Sequence, residues 1–110
     1  MFLTVNFDNF NEQVLNAKGV VLVNVWAGWS KHCRQMSTIM CKLKNLLDEQ
    51  DSIVEIDWDQ EKQLVNNLEV YGIPTLLIFS RGTEIARYSG IAATGDLMTK
   101  IVELKNSVIK

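Results

Sequence analysis

Val20-Val21-Leu22-Val23-Asn24-Val25-Trp26-Ala27-Gly28-Trp29-Ser30-Lys31-His32-Cys33 is the stretch on which the reading of this chain turns. Val20 to Trp26 is almost entirely apolar and β-branched, the pattern of a strand covered on both faces. From Ser30 to Leu47 the apolar residues Cys33, Met36, Met40, Leu43 and Leu47 recur at steps of three and four. That spacing predicts an amphipathic helix. Ser30, at the junction, is a residue type well suited to cap a helix N-terminus.

Working outward, Phe2 to Val5 reads as a short strand. Asp8 to Ala17 places Phe10, Val14 and Ala17 on one helical face, with Gly19 following where a C-terminal cap would sit. Ile53 to Trp58 alternates, with Val54, Ile56 and Trp58 on one side and Glu55 and Asp57 on the other. Gln60 to Leu68 reads as a short helix. Thr75 to Phe79 and Glu84 to Ser89 are strands joined through Ser80-Arg81-Gly82-Thr83, a linker suited to a hairpin. Leu97, Ile101, Leu104 and Val108 mark a closing helix. The order βαβαβαββα implies an α/β fold with a mixed central sheet flanked by helices on both faces.

The 110 residues fit a single domain, 1–110. A net charge of -2 and a pI near 5.3 give no footprint for nucleic acid or an anionic membrane. The longest apolar runs are too short to span a bilayer. The first residues lack a basic region and a small-residue cleavage site, so no secretory signal is expected. Two cysteines are too few for a disulfide framework, which makes the cytoplasm the expected location. Cys33 and Cys41, eight residues apart on one helix, are separated by roughly 12 Å of rise. They cannot bridge within the chain, because a disulfide needs Cα atoms within about 7 Å. Adding His32 gives three candidate metal ligands without ligand spacing, so no metal site and no cofactor are expected.

Three separated motifs then carry a family resemblance that covers nearly the whole chain. Val21 to Cys33 resembles the active-site segment of the thioredoxins, with Ser30 and the pair Lys31-His32 departing from their usual Trp-Cys-Gly-Pro-Cys. Gly72-Ile73-Pro74-Thr75-Leu76-Leu77-Ile78-Phe79 is similar to the family's cis-proline loop entering a strand. Gly90-Ile91 fits a third active-site loop. The resemblance implies a thioredoxin fold, protein substrates carrying disulfides, a thioredoxin-reductase-type electron donor and a monomer. It also implies a substrate groove formed by Trp29, Lys31, His32, Ile73, Pro74, Gly90 and Ile91, with Ile73–Pro74 cis.

The chemistry of such a site requires a cysteine at the helix N-terminus. The macrodipole and the free amides lower its pKa from about 8.5 to roughly 7, supplying thiolate at neutral pH. That thiolate attacks a substrate disulfide, and a second cysteine one turn later resolves the mixed disulfide. Here the first position is Ser30. Its alcohol is far less acidic than a thiol, and no base-and-orienter pair accompanies it. Ser30 is therefore expected to cap the helix and not to exchange disulfides. Cys33, the resolving cysteine by resemblance, is equally readable as a small buried hydrophobe. His32 occupies a place where oxidising relatives carry histidine; it either tunes a thiolate or is a solvated turn residue.

Two departures concern protons. Asn24 stands where the family commonly places a buried aspartate, and an amide does not titrate. Glu55 stands where the family often has a lysine facing that aspartate. Glu55 either takes over as proton relay with Asn24 beside it or points into solvent, and the solvent reading is favoured because buried unpaired glutamates are rare. Thr38 replaces a proline that often kinks the helix, which predicts a straighter one. Trp26 is expected to be a packing residue.

Two functions follow. The first is a thiol–disulfide oxidoreductase whose nucleophilic position holds Ser30 as an engineered replacement, inactive in dithiol exchange. The second is a naturally redox-inactive binding module that uses the same groove. The first is favoured by the intact motifs around Trp29, Cys33 and Pro74.

Overall fold

The computed structural model describes residues 2–90 and 94–108. Its elements are β1 (Leu3–Thr4), a π-helical turn (Asn11–Leu15), β2 (Val20–Trp26), α1 (Lys31–Leu43), a 3-10 turn (Lys44–Leu46), β3 (Ser52–Asp57), α2 (Lys62–Asn67), β4 (Thr75–Ser80), β5 (Thr83–Ser89) and α3 (Thr94–Val108). The sheet order is β1-β3-β2-β4-β5. β1, β3 and β2 run parallel, while β4 is antiparallel to both β2 and β5.

The apolar run of β2 is explained by its central place. Val21, Val23 and Val25 enter one core layer with Val54 and Ile56, covered by Phe10, Val14 and α2. Val20 and Leu22 enter the other, covered by Met36, Met40 and Leu43 of α1 and by Leu97 and Ile101 of α3. Helices therefore lie on both faces of the sheet. Each fully buried aliphatic side chain contributes roughly 1.5–3 kcal/mol, so these two layers outweigh local propensity.

The structure shifts three local expectations. The first helix is only the turn Asn11–Leu15, capped at Asn16, so Gly19 is not its cap. Gly19 is instead a point of close approach, where a Cβ would lie 2.2 Å from the Gln50 carbonyl oxygen. The helix expected to reach Leu47 ends as α at Leu43 and tightens into the 3-10 turn before Leu47, which is extended. The hairpin linker contracts to Arg81-Gly82, with φ of 52° and 82°, the left-handed pair that suits the strand twist.

Two polar clamps hold connections that apolar packing does not. At the start of β2, Asp51 accepts from the backbone N–H of Val20 and of Asp48, both at 2.8 Å. Lys105 of α3 pairs with Asp51 and, at 2.8 Å, with Asp48. On the edge strand, Arg87 donates to the carbonyls of Leu68 and Glu69, each at 2.7 Å, and pairs with Glu84. This fork ties β5 to the segment leaving α2, where Glu69 has φ of 55°. Lysine has no planar fork to reach both carbonyls and Glu84 together. Arg87→Lys is expected to cost about 1 kcal/mol in urea unfolding and to speed amide exchange near Val70 and Tyr71.

Candidate functional site

The strand register gathers the candidate residues at one end of the sheet. Val25 pairs with Thr75, Thr75 with Ser89, and Trp26 with Asp57. The segments Trp26–Ser30, Asp57–Asp59, Ile73–Pro74 and Ser89–Gly90 therefore converge. Gly90 N–H donates to the Pro74 carbonyl at 2.8 Å, joining two of these loops. The Ile73–Pro74 peptide is cis. Ile91 lies outside the described residues.

Ser30 forms the turn from β2 into α1. Its N–H donates to the Ala27 carbonyl at 3.1 Å. Its backbone is extended, and its Oγ accepts from the Cys33 N–H at 3.3 Å, which makes it the N-cap. Cys33 is then fully buried on the inward stripe of α1, whereas Cys41 is exposed on the surface; neither is in a disulfide. Lys31 and His32 are exposed in the first turn. α1 runs unbroken past Thr38.

Trp29 is 65% exposed, and its indole N–H donates to the Asp59 carboxylate at 2.8 Å. Arg34 donates to the Gly28 carbonyl at 3.2 Å, bracing the same loop. Tyr71, three residues before Pro74, is 83% exposed. Asp59, Arg34 and Tyr71 escaped the reading of the sequence: the Asp59 partner lies thirty residues away along the chain. Pro74 is buried, Ile73 is half-buried against the core layer on the far side, and the described cavities are lined by other residues.

Asn24 and Glu55 are neighbours in register on β2 and β3. Alternation puts both on the sheet face that α1 covers, since Leu22 and Ile53 pack there. α1 runs back along this face, so its first turn, with Cys33, covers the end of β2 that carries Asn24. The Asn24 amide is completely buried, and neither its Nδ2 nor its Oδ1 has a hydrogen-bond partner among the described residues. Glu55 itself is half-buried, which corrects the expectation that it points into solvent. Burial pushes its carboxyl above the usual range, and the Asn24 amide pulls back less strongly. The Trp26 indole nitrogen is also buried without a hydrogen-bond partner among the described residues, and its ring is partly covered.

Comparison with known proteins agrees with this geometry. The family described as Thioredoxin matches residues 1–103. The chain is 35% identical over 88 residues to Protein disulfide isomerase-like 2-3 of Oryza sativa subsp. japonica, covering 80% of this chain and 20% of that protein. It is 27% identical over 95 residues to a thioredoxin-like protein of Synechocystis sp., covering 86% of this chain and 90% of the relative. The chain thus spans about a fifth of the rice protein and most of the cyanobacterial one. Among solved structures, the thioredoxin Mala s 13 of Malassezia sympodialis superposes with a TM-score of 0.80 at 21% identity, covering 94% of this chain and 90% of that one.

Proposed function

The chain belongs to the thioredoxin family, and from that premise we propose that the end of the sheet around Ser30 is a thiol–disulfide exchange site lacking its attacking thiol. The observation that carries this reading is the cap: Ser30 Oγ accepts from the N–H of Cys33, one turn further on. A thiolate at position 30 would sit in the positive field of the helix N-terminus and beside the resolving thiol.

In such a site the thiolate at 30 attacks one sulfur of a protein disulfide and releases the other as a thiolate. Cys33 then attacks the mixed disulfide, closes the intramolecular bond and frees the second substrate thiol. The substrate gains two electrons and the protein loses two, which a thioredoxin-reductase-type donor returns. With an alcohol at position 30 the first bond does not form. Trp29, Lys31, His32, Ile73, Pro74, Gly90 and Ile91 are the surface that would meet the substrate. A reducing, cytoplasmic setting fits Cys33 and Cys41 as free thiols.

Glu55, with the Asn24 amide beside it, supplies the proton step in this reading. Cys33 must lose its proton to resolve the mixed disulfide, and Glu55 is the carboxyl on the sheet face beneath its helix. A carboxyl with a raised pKa takes up a proton more readily near neutrality. Glu55→Gln, made together with Ser30→Cys, is expected to slow resolution about tenfold or more. Formation of the mixed disulfide should stay nearly unchanged. Equal rates in both steps would remove Glu55 from the relay.

The reading as a whole is tested by reduction of a protein disulfide such as insulin, coupled to a thioredoxin reductase. The chain as it stands should remain at background, and Ser30→Cys should turn over. A second reading, a redox-inactive binding module, is supported by Asn24, whose amide cannot titrate. It would gain if Ser30→Cys stayed inert while the protein remained folded.

A further inference from the structure

The exposed face of α1 carries a charge pattern that neither the fold nor the exchange chemistry calls for. Residues 31–46 hold Lys31, Arg34, Lys42 and Lys44, and none of the chain's 13 Asp and Glu. The chain as a whole is net negative, at -2, so positive charge is concentrated on this one helix and depleted elsewhere. The first turn of α1 has no acidic residue. It presents Lys31 and Arg34 to the positive end of the helix dipole, where each cation costs roughly 0.3–1 kcal/mol in place of a gain. Folding stability therefore does not account for them. Nor are they neutralised by neighbours: among the described residues the ion pairs are those of Arg87 and Lys105.

Their placement is ordered. Lys31, Arg34, Thr38 and Lys42 follow steps of three, four and four, and all are exposed. They form one outward ridge about 17 Å long. At its head stands the exposed Trp29 ring, its indole N–H held by Asp59, with the Arg34 guanidinium tied to the Gly28 carbonyl. A fixed aromatic anchor beside a row of cations is the composition of a protein-docking surface.

We propose that this ridge, headed by Trp29, docks an acidic segment of a partner protein that places an apolar side chain on Trp29. Carboxylates spaced along the segment would meet Lys31, Arg34 and Lys42, steering encounter and fixing orientation beside position 30. A long polyanion fits less well, because the remaining surface is net acidic and repels it. This surface extends beyond the exchange reading, because docking needs no thiol, and a binding measurement can succeed or fail independently of turnover.

The test titrates the isotope-labelled chain, followed by NMR, with a short peptide of alternating glutamate and serine around a central leucine. Parallel titrations use the same peptide with glutamine for glutamate, a single-stranded oligonucleotide and phosphatidylserine vesicles. The acidic peptide should move the Trp29 indole and the amides of residues 29–42, and should bind less tightly as salt rises. Lys31→Glu with Lys42→Glu should weaken it by about tenfold, while Lys18→Glu with Lys100→Glu, the same change in net charge, should alter it less than about twofold. The spectrum away from α1 reports that each variant is folded. The proposal is overturned if the glutamine peptide binds as well, if both double variants lose equally, or if oligonucleotide or vesicles bind as tightly.

Discussion

Ser30→Cys is expected to raise protein-disulfide reduction from background by at least about a thousandfold, the largest change any single substitution should produce here. The backbone already meets the requirements. Position 30 is the N-cap, extended and nearly covered, and Cys33 follows one turn later on the buried stripe. The alcohol present now stays protonated at neutral pH, whereas a thiol at a helix N-terminus is substantially ionised. The substitution replaces a good cap by a poorer one, so stability should fall by about 1 kcal/mol while activity rises. Activity and stability moving in opposite directions would separate a chemical effect from a general gain in folding. His32 should make the resulting dithiol more oxidising, since a positive or hydrogen-bonding group beside a thiolate favours the reduced form. Adding His32→Pro should therefore lower the reduction potential; an unchanged or higher potential would remove His32 from that role.

The largest loss of stability is expected from Asp51→Ala, at about 3 kcal/mol in urea or thermal unfolding. The Asp51 side chain is only 1% exposed and joins α3, the connection into β3 and the first residue of β2. Its removal strands two backbone N–H groups and leaves the Lys105 ammonium, whose side chain is 15% exposed, with Asp48 as its one remaining partner among the described residues. Burial alone would raise the Asp51 carboxyl, but Lys105 and the amides of Asp48 and Val20 outweigh it and hold the pKa below the usual value. A depressed carboxylate contributes stability that is fully present above its unfolded pKa and lost as pH falls through its folded one. The stability that Asp51 contributes should accordingly start to fall as pH drops into the ordinary carboxylate range and be gone below it. In Asp51→Asn that part of the pH dependence should flatten. For Lys105, burial lowers the pKa but its two aspartates raise it further. Its contribution is present below the unfolded lysine pKa and is lost as pH rises through the higher folded value.

These two sites differ in how far they could be read from the chain. β2 was legible to the residue, because a central strand needs apolar side chains on both faces and Val20 to Trp26 supplies them. The cap at Ser30 was legible for the same local reason. The clamps were not. Asp51 and Lys105 are 54 residues apart, and Arg87 reaches carbonyls 18 and 19 residues away. No periodicity announces such pairs. Gly19 looked like a helix cap because glycine there has two physical uses, and only the Gln50 carbonyl beside it shows which applies. For Glu55 the sequence favours solvent, because buried unpaired glutamates are rare and alternation with apolar residues usually marks a solvated face. That face of β3 is covered by α1, and the buried Asn24 amide lies beside Glu55 in the neighbouring strand.

Whether Ser30 holds the place of an attacking thiol in line with Cys33 is decided by a redox titration of Ser30→Cys. The protein is equilibrated in graded ratios of reduced and oxidised glutathione, quenched by alkylation and weighed by mass spectrometry. One intramolecular disulfide should close on Cys33 in a single two-electron transition, with Cys41 alkylated throughout. Cys33 remaining alkylatable under oxidising buffer, or a bond closing on Cys41, would contradict that placement of Ser30.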